Sequence, residues 1–233
     1  YRVTAVIEAP RGLHPLLHSL LPEVEVYDDA AHVAVSAQLP WMSLPLLCDL
    51  VREAIPAKPY LAATSARLAR WQPQLASARR QPLAVGLVWQ SGAWGVGAAD
   101  YNRQRKSVPL TLLHGLLQVP GVDWFSLQTA LGPSECLPAT LHDLGAQIAD
   151  FADTAAIVAQ LDLVITVDTA TAHLAAAMGK PVWVLMRYEG APFFGEDDSM
   201  PWYADVTVLR QARPGDWQRP VANCIDMLKS WQQ

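Results

Sequence analysis

The chain has 233 residues, of which 52% are hydrophobic and 17% charged, against a usual charged share of ~25%. That composition describes one large or two small globular domains and excludes disorder, which needs low hydrophobicity and high charge. A net charge of −5 excludes a general nucleic-acid binder, because neutralising phosphates takes a surplus of Lys and Arg. No uninterrupted apolar run approaches the ~18 residues of a membrane span.

Tyr1-Arg2 leads directly into an apolar run, so a strand is predicted over 3–8. A signal peptide would show a basic segment and a longer apolar core instead. A chain that opens on a strand without Met is expected to be a fragment. A helix over 13–21 and strands over 24–27 and 33–37 follow, then a stretch spaced by Pro40, Pro45, Pro56 and Pro59. Residues 64–80, with Arg67, Arg70, Trp71, Arg79 and Arg80, read as a connecting helix or linker, and a boundary is expected near Gln81-Pro82. Cys48, Cys136 and Cys224 are odd in number, far apart and free of a CxxC pattern. They are expected to be reduced, mostly buried thiols of a cytoplasmic protein, with neither a disulfide framework nor a zinc site.

Beyond Leu83, short β-rich runs alternate with helical patterns. A strand over 84–89 precedes a helix over 109–118, for which Ser107 is a suitable cap and Pro109 a suitable first-turn residue. A strand over 123–127, a helix over 133–143 interrupted by Pro138, and a strand over 146–149 come next. Asp153 is then expected to cap a helix to 161. The strand 163–167 leads into a helix over 170–178, stopped by Gly179 with Pro181 just beyond. Strands over 182–186 and 206–209 and a helix over 216–231 complete the chain. Six strands that are apolar throughout, separated by helices, predict a doubly wound α/β domain with a parallel sheet, whose ligands sit beyond the carboxyl ends of the strands. The first 80 residues have the pattern of a smaller, incomplete α/β part.

Chemistry concentrates at the end of the strand 163–167. Asp168 closes that strand, and Thr169, Ala170, Thr171 and Ala172 open a helix of very small residues. The first amides of a helix lack internal partners and, with the helix dipole, form an anion site suited to phosphate. Thr169 and Thr171 add hydroxyl donors, and His173 stands on the first turn. The plainer reading is a tight β–α connection in which Asp168 or Thr169 merely caps.

The run Asp168-Thr169-x-x-x-His173-Leu174-Ala175-Ala176-Ala177-x-Gly179-Lys180-Pro181 resembles the donor-site signature of the heptosyltransferase-like glycosyltransferases of family 9, which have the GT-B fold. It is still more similar to the glycosyltransferase domains at the C-terminus of bacterial tetratricopeptide-repeat proteins. That likeness extends to Gly86-Leu87-Val88-Trp89-Gln90-Ser91-Gly92, to residues 102–110 (NRQRKSVPL), 125–128, 150–155 and 199–211, and more weakly to Pro40-Trp41-Met42-Ser43-Leu44-Pro45. The resemblance implies a GT-B-like organisation: a partial acceptor-side part and linker over 1–80, a nucleotide-sugar-binding domain over 81–215, and over 216–233 a terminal helix that crosses back to the first part. It implies a cytoplasmic transferase that passes the sugar of a nucleotide-diphosphate sugar to an acceptor, protein or glycan, with no metal or other cofactor. The alternative is a non-catalytic module, degenerate or truncated, that holds a nucleotide sugar or a protein partner. An epimerase of similar fold would need His and carboxylate groups facing each other across the cleft, and His173 is the one group that fits.

Carried over residue by residue, the resemblance places the donor diphosphate between Ser91-Gly92 and the helix start at Thr169, Ala170 and Thr171, with Asp168 and His173 beside it. Lys106 matches the family's Lys-x-Trp-Pro element, with Val108 in place of its Trp. A lysine aimed at a diphosphate stabilises charge developing on the leaving group. The plainer reading makes Arg103, Arg105 and Lys106 a solvated basic face. Gln128 is expected to point into the crevice and, with Phe151, to flank the nucleotide base, although Phe151 also suits ordinary core packing. Glu135 is a candidate for ribose hydroxyls. The family's first domain begins with a strand and a glycine-rich loop bearing the catalytic acid or base. No such loop precedes Val3, so no general base is named.

Other patterns point nowhere specific. His14 and His18 stand four apart without a third ligand, so a surface helix is expected. Glu196-Asp197-Asp198 falls in a predicted loop. Residues 92–97 are glycine-rich without the Gly-Lys-Ser/Thr of a P-loop, and no Gly-x-Ser-x-Gly is present. Trp41, Trp94 and Trp202 fall in predicted loops, where an indole could stack on sugar.

Overall fold

The computed structural model describes residues 4–92, 99–129, 131, 135–190 and 200–231. The first three residues, Trp94, most of the glycine-rich run, Pro133 and Glu196-Asp197-Asp198 lie outside these described residues. Val6–Glu8 (β1) and Glu25–Tyr27 (β2) pair in parallel, with Ile7 opposite Val26, and His14–Leu20 (α1) joins them. The strand expected over 33–37 does not form. Val35 is 51% exposed and its neighbours lie open, so no apolar face is available to hold a ladder. The proline-spaced stretch makes only 3-10 turns at Trp41–Ser43 and Arg52–Ala54 and one short helix, Leu44–Leu47 (α2), none with a buried residue.

Ser65–Ala78 (α3) is a full helix: Thr64 Oγ1 accepts the Arg67 amide, and Trp71 and Leu75 are buried. Its exit is fixed where Asp123 Oδ2 accepts the amides of Arg80 and Gln81, next to the expected boundary. Leu83–Val88 (β3) follows, then Ala99–Lys106 (α4) and, after a 3-10 turn at Leu110–Leu113, His114–Leu117 (α5). Val122–Ser126 (β4), Leu141–Asp143 (β5), Phe151–Val158 (α6) and Leu163–Val167 (β6) continue the chain. Ala170–Ala177 (α7), Val182–Met186 (β7), Val206–Arg210 (β8) and Gln218–Trp231 (α8) complete it. The sheet is six-stranded, in the order β5-β4-β3-β6-β7-β8, and every pairing is parallel.

The period of two along the strands divides the core into two layers. Val85, Leu87, Ile165, Val167, Trp183 and Leu185 face Leu116 of α5 and Val221, Cys224 and Leu228 of α8. Ala84, Val88, Val164, Val184 and Met186 face Trp71 and Leu75 of α3, Ile157 of α6 and Ala172 and Ala175 of α7. Gly86 lies within β3 where a methyl group would sit 2.6 Å from Leu161 Cδ1, so any larger residue would make that side chain shift. Gly179 has φ +73°, the left-handed stop expected after α7.

Several expectations are corrected. The helix over 133–143 is absent: residues 135–138 are irregular and β5 occupies 141–143, while 145–147 form a 3-10 turn rather than a strand over 146–149. The strand count of six holds with this one displaced. Asp150, not Asp153, caps α6, accepting the Asp153 amide. Ser107 does not cap the following helix. Its hydroxyl donates to the Arg103 carbonyl and closes α4, a helix too polar to show an apolar period. α8 packs on the six-stranded sheet through Val221, Cys224 and Leu228. Cys48 and Cys136 are exposed; only Cys224 is buried, and burial pushes its thiol up to about 12. No described helix is long and apolar enough to cross a membrane.

Candidate functional site

The sheet order reverses direction between β3 and β6: the chain moves outward through β4 and β5 on one side, and through β7 and β8 on the other. Loops leaving the carboxyl ends of β3 and β6 therefore diverge and open a crevice, the usual ligand position of a doubly wound sheet. Its two walls come from segments separated by some seventy residues.

One wall starts at the end of β3. The Trp89 carbonyl accepts the Val108 amide at 2.8 Å, and Ser107 Oγ accepts the Ser91 amide at 3.1 Å. These bonds return the chain to the strand end after α4 and set Ser91, Gly92 and Lys106 at the crevice. The opposite wall is Asp168 and the start of α7. Lys106 Nζ lies 2.6 Å from Asp168 Oδ2 across the gap, the lysine one quarter exposed and the carboxylate almost buried.

Thr169 takes the N-cap position in extended conformation but makes no side-chain cap. Its hydroxyl is 3.0 Å from Thr166 Oγ1, whose own proton goes to the Val167 carbonyl at 2.8 Å. A hydroxyl has one proton, so Thr169 is the donor of that pair and turns its proton inward. In this arrangement the Thr169 hydroxyl is engaged with Thr166, while the amides of Ala170 and Thr171 are left without a cap from the Thr169 side chain. Ala170 is exposed and Thr171 half-buried. His173, one turn along, has its pKa lowered by burial and by Lys106, against the opposing pull of Asp168. Its Nδ1 is 3.4 Å from the hydroxyl of Tyr203, whose own pKa burial and Tyr60 raise.

Ser91, Gly92, Lys106, Asp168, Thr169, Ala170, Thr171 and His173 thus meet at one strand-end crevice. Gln128 and Phe151 do not. Gln128 is buried at the end of β4, and its Oε1 accepts the Gln90 amide at 3.0 Å, a staple between two strand ends rather than a group pointing outward. Phe151 lies in a small apolar cluster with Leu16 of α1, Ala155 and Leu174, where α1 docks on α6 and α7. Glu135 is taken by Trp89 Nε1 at 2.8 Å and by Gln90 Nε2. His14 Nε2 bonds the Ala9 carbonyl, and no three His, Cys, Asp or Glu side chains gather as a metal site would among the described residues.

The helix start after β6 is also where the chain is similar to known proteins. Residues 145–219 match glycosyltransferase family 9 (heptosyltransferase). The matched segment runs from the turn after β5 into α8 and contains Asp168 through His173, while Ser91, Gly92 and Lys106 lie before it. Protein FlbA of Caulobacter vibrioides is 30% identical over 189 residues, covering 77% of this chain and 30% of FlbA. The chain therefore spans under a third of that curated relative. No solved structure matches. The six-stranded parallel sheet with its 3-2-1-4-5-6 order agrees with the Rossmann-type half of a GT-B fold.

Sequence reading missed two features of this site. The Lys106–Asp168 ion pair joins groups 62 positions apart, and nothing local signals it. Tyr203 reaches His173 from a turn that precedes β8, again without any spacing that would announce the contact.

Proposed function

We propose that the chain is a glycosyltransferase domain that binds the pyrophosphate of a nucleotide-diphosphate sugar in the crevice between β3 and β6. The observation that carries this reading is Lys106 facing, across Asp168, a helix start whose first amides lack a side-chain cap. A pyrophosphate there would take the Lys106 ammonium on one side and the amides of Ala170 and Thr171 on the other. In the transfer step the bond between the anomeric carbon and the phosphate oxygen breaks, its electron pair going to that oxygen. An acceptor hydroxyl bonds to the carbon and gives up its proton. Lys106 and the α7 dipole are placed where the leaving group gains charge, the position at which fixed charges lower a barrier most. The similarity of residues 102–110 to repeat-associated transferase domains extends the proposal to that branch, with a protein or glycan acceptor and a cytoplasmic setting.

A second reading, a binding module without turnover, draws on Asp168: it already neutralises the lysine the phosphate would use. Release of free nucleoside diphosphate from a bound donor in the presence of acceptor separates the two.

The binding test is calorimetric titration with UDP-, GDP- and ADP-sugars. Lys106→Ala should weaken the bound one by about ten- to a hundredfold, the worth of a charge-assisted contact. Ala170→Pro removes one amide donor at a helix position that tolerates proline, and should weaken it by a few-fold. Wild-type protein that binds none of the three, or two variants that bind as wild type does, would end this assignment.

A further inference from the structure

A recess of about 230 Å³ lies beside α4 at the carboxyl ends of β7 and β8. Tyr101, Gln104 and Arg105 project into it from α4, at the i, i+3, i+4 spacing that shares one helix face. Glu189 comes from the turn after β7, Gln211 from the residue directly after β8, and Trp217 from just before α8. The last turn of α4 reaches both strand ends: Lys106 contacts Asp168 after β6, and Arg105 Nη2 pairs with Glu189 Oε1 after β7. The recess therefore adjoins the crevice already described.

Its wall contains an unanswered donor. Gln211 is 3% exposed, and its Oε1 accepts the amides of Tyr188 at 3.2 Å and Gly215 at 3.0 Å. Two donors on one atom settle which end of the side-chain amide is oxygen, so Nε2 must face the other way. There it is buried with no hydrogen-bond partner.

The chemistry of the lining groups narrows what the recess can hold. Glu189 cancels the charge of Arg105, whose guanidinium also lies 5.0 Å from the centre of the Tyr101 ring, so the wall carries no net charge to draw an anion. What remains is a carboxylate, a guanidinium and two amides beside two aromatic rings, a mixture of donors and acceptors with some apolar surface. The volume falls below the ~300 Å³ at which sites for drug-sized ligands begin, leaving room for one ring. We propose that the recess binds a single monosaccharide ring, its hydroxyls held by Glu189, Arg105 and Gln104. For its place beside a pyrophosphate this rests on the donor-site reading; as a sugar site it stands on the recess alone.

The test compares each nucleotide sugar with its matching nucleoside diphosphate by calorimetry, and adds saturation-transfer NMR with free monosaccharides and short oligosaccharides. Tyr101→Ala and Glu189→Gln alter exposed or half-exposed side chains, and circular dichroism checks that both variants fold. The sugar should tighten binding by about tenfold or more, the worth of a hydrogen bond to a charged group. Both variants should erase that gain while holding the bare diphosphate as wild type does. If the donor's sugar adds nothing but an oligosaccharide shows transfer that the variants abolish, the ring comes from an acceptor and the recess is still a sugar site. Protein that binds no diphosphate yet shows variant-sensitive transfer to sugar loses the donor site and keeps this one. The proposal is overturned if the variants retain the full gain, or if wild type shows neither a gain nor any transfer.

Discussion

Residues 33–60 and residues 83–186 both contain many leucines and valines, yet the first stretch turns most of them outward and the second inward. Met42, Leu46 and Leu47 are 65%, 79% and 64% exposed, whereas Val85, Leu87, Ile165 and Val184 are fully buried. The difference lies in what the backbone allows. Strands β3, β4, β6 and β7 run five or six residues without interruption, so alternate side chains enter two separate layers of core. Pro40, Pro45, Pro56 and Pro59 cut the front stretch into single turns, and no run is long enough to present one apolar face. Apolar content alone therefore does not make a core; uninterrupted period does.

α3 links the two regions along the chain, and a large predicted effect lies there. Asp153 has a fully buried side chain that accepts Arg67 Nη1 at 2.6 Å, Trp71 Nε1 at 2.9 Å and the Ala149 amide at 3.1 Å. Asp153→Ala should cost about 3 kcal/mol in denaturant unfolding, because it leaves the guanidinium and indole donors unanswered at a packed surface. The same group sets an acid limb. Burial pushes its carboxyl up, but the hydrogen bonds from Trp71, the Ala149 amide and Arg67, with the Arg67 charge, outweigh that and hold it below the ordinary 3.8. A folded-state value below the unfolded one gives stability that is full above the ordinary carboxylate range and is lost as pH falls from there through the lowered value. Asp153→Asn should flatten that part of the pH–stability curve. An unchanged acid limb would place the ion network outside the forces that hold α3 down.

A close approach of backbones supplies the next comparison. At Gly145 an added methyl would lie 2.0 Å from the Gln128 carbonyl oxygen, whereas at Gly12, in the front part, the nearest atom is Phe151 Cδ2 at 3.7 Å. Gly145→Ala should cost about 1–3 kcal/mol, since backbone has to move. Gly12→Ala should stay within about 0.5 kcal/mol of wild type. Equal losses from the two would mean that the turn at 145–147 yields more readily than its packing suggests.

What was legible in the sequence follows the same division. The strand 163–167, the helix from Ala170 and its stop at Gly179 were readable because apolar period, small residues and a left-handed glycine all agree there. β5 was misplaced because only three residues form it and only Leu141 is buried, while the neighbouring leucines mimic a helical period. α4 was invisible because six of its eight residues, Asp100 and Asn102 to Lys106, are strongly polar. In the site, the residues contiguous with the helix start lie together, while Gln128 and Phe151 are held in packing. A strand-end or first-turn position does not say whether a side chain turns toward the crevice or back into packing. Contacts such as Lys106 with Asp168 depend on how two distant loops approach, which no spacing encodes.

The smallest expected effect is the sharpest test of the opening contrast. Leu46 stands on α2, a helix of four residues with none buried, and is the most exposed large apolar residue described. Burying a leucine side chain is worth about 1.5–3 kcal/mol, and one already in water has none of that to lose. Leu46→Ser should therefore change unfolding free energy by less than about 0.5 kcal/mol, with the denaturant slope unchanged because no further surface is exposed on unfolding. The matched change in the sheet, Ile165→Ala, removes a fully buried side chain and should cost about 2–5 kcal/mol. A loss above about 1 kcal/mol at Leu46 would show that α2 packs on something in solution, and the proline-cut stretch would then have to be counted as core.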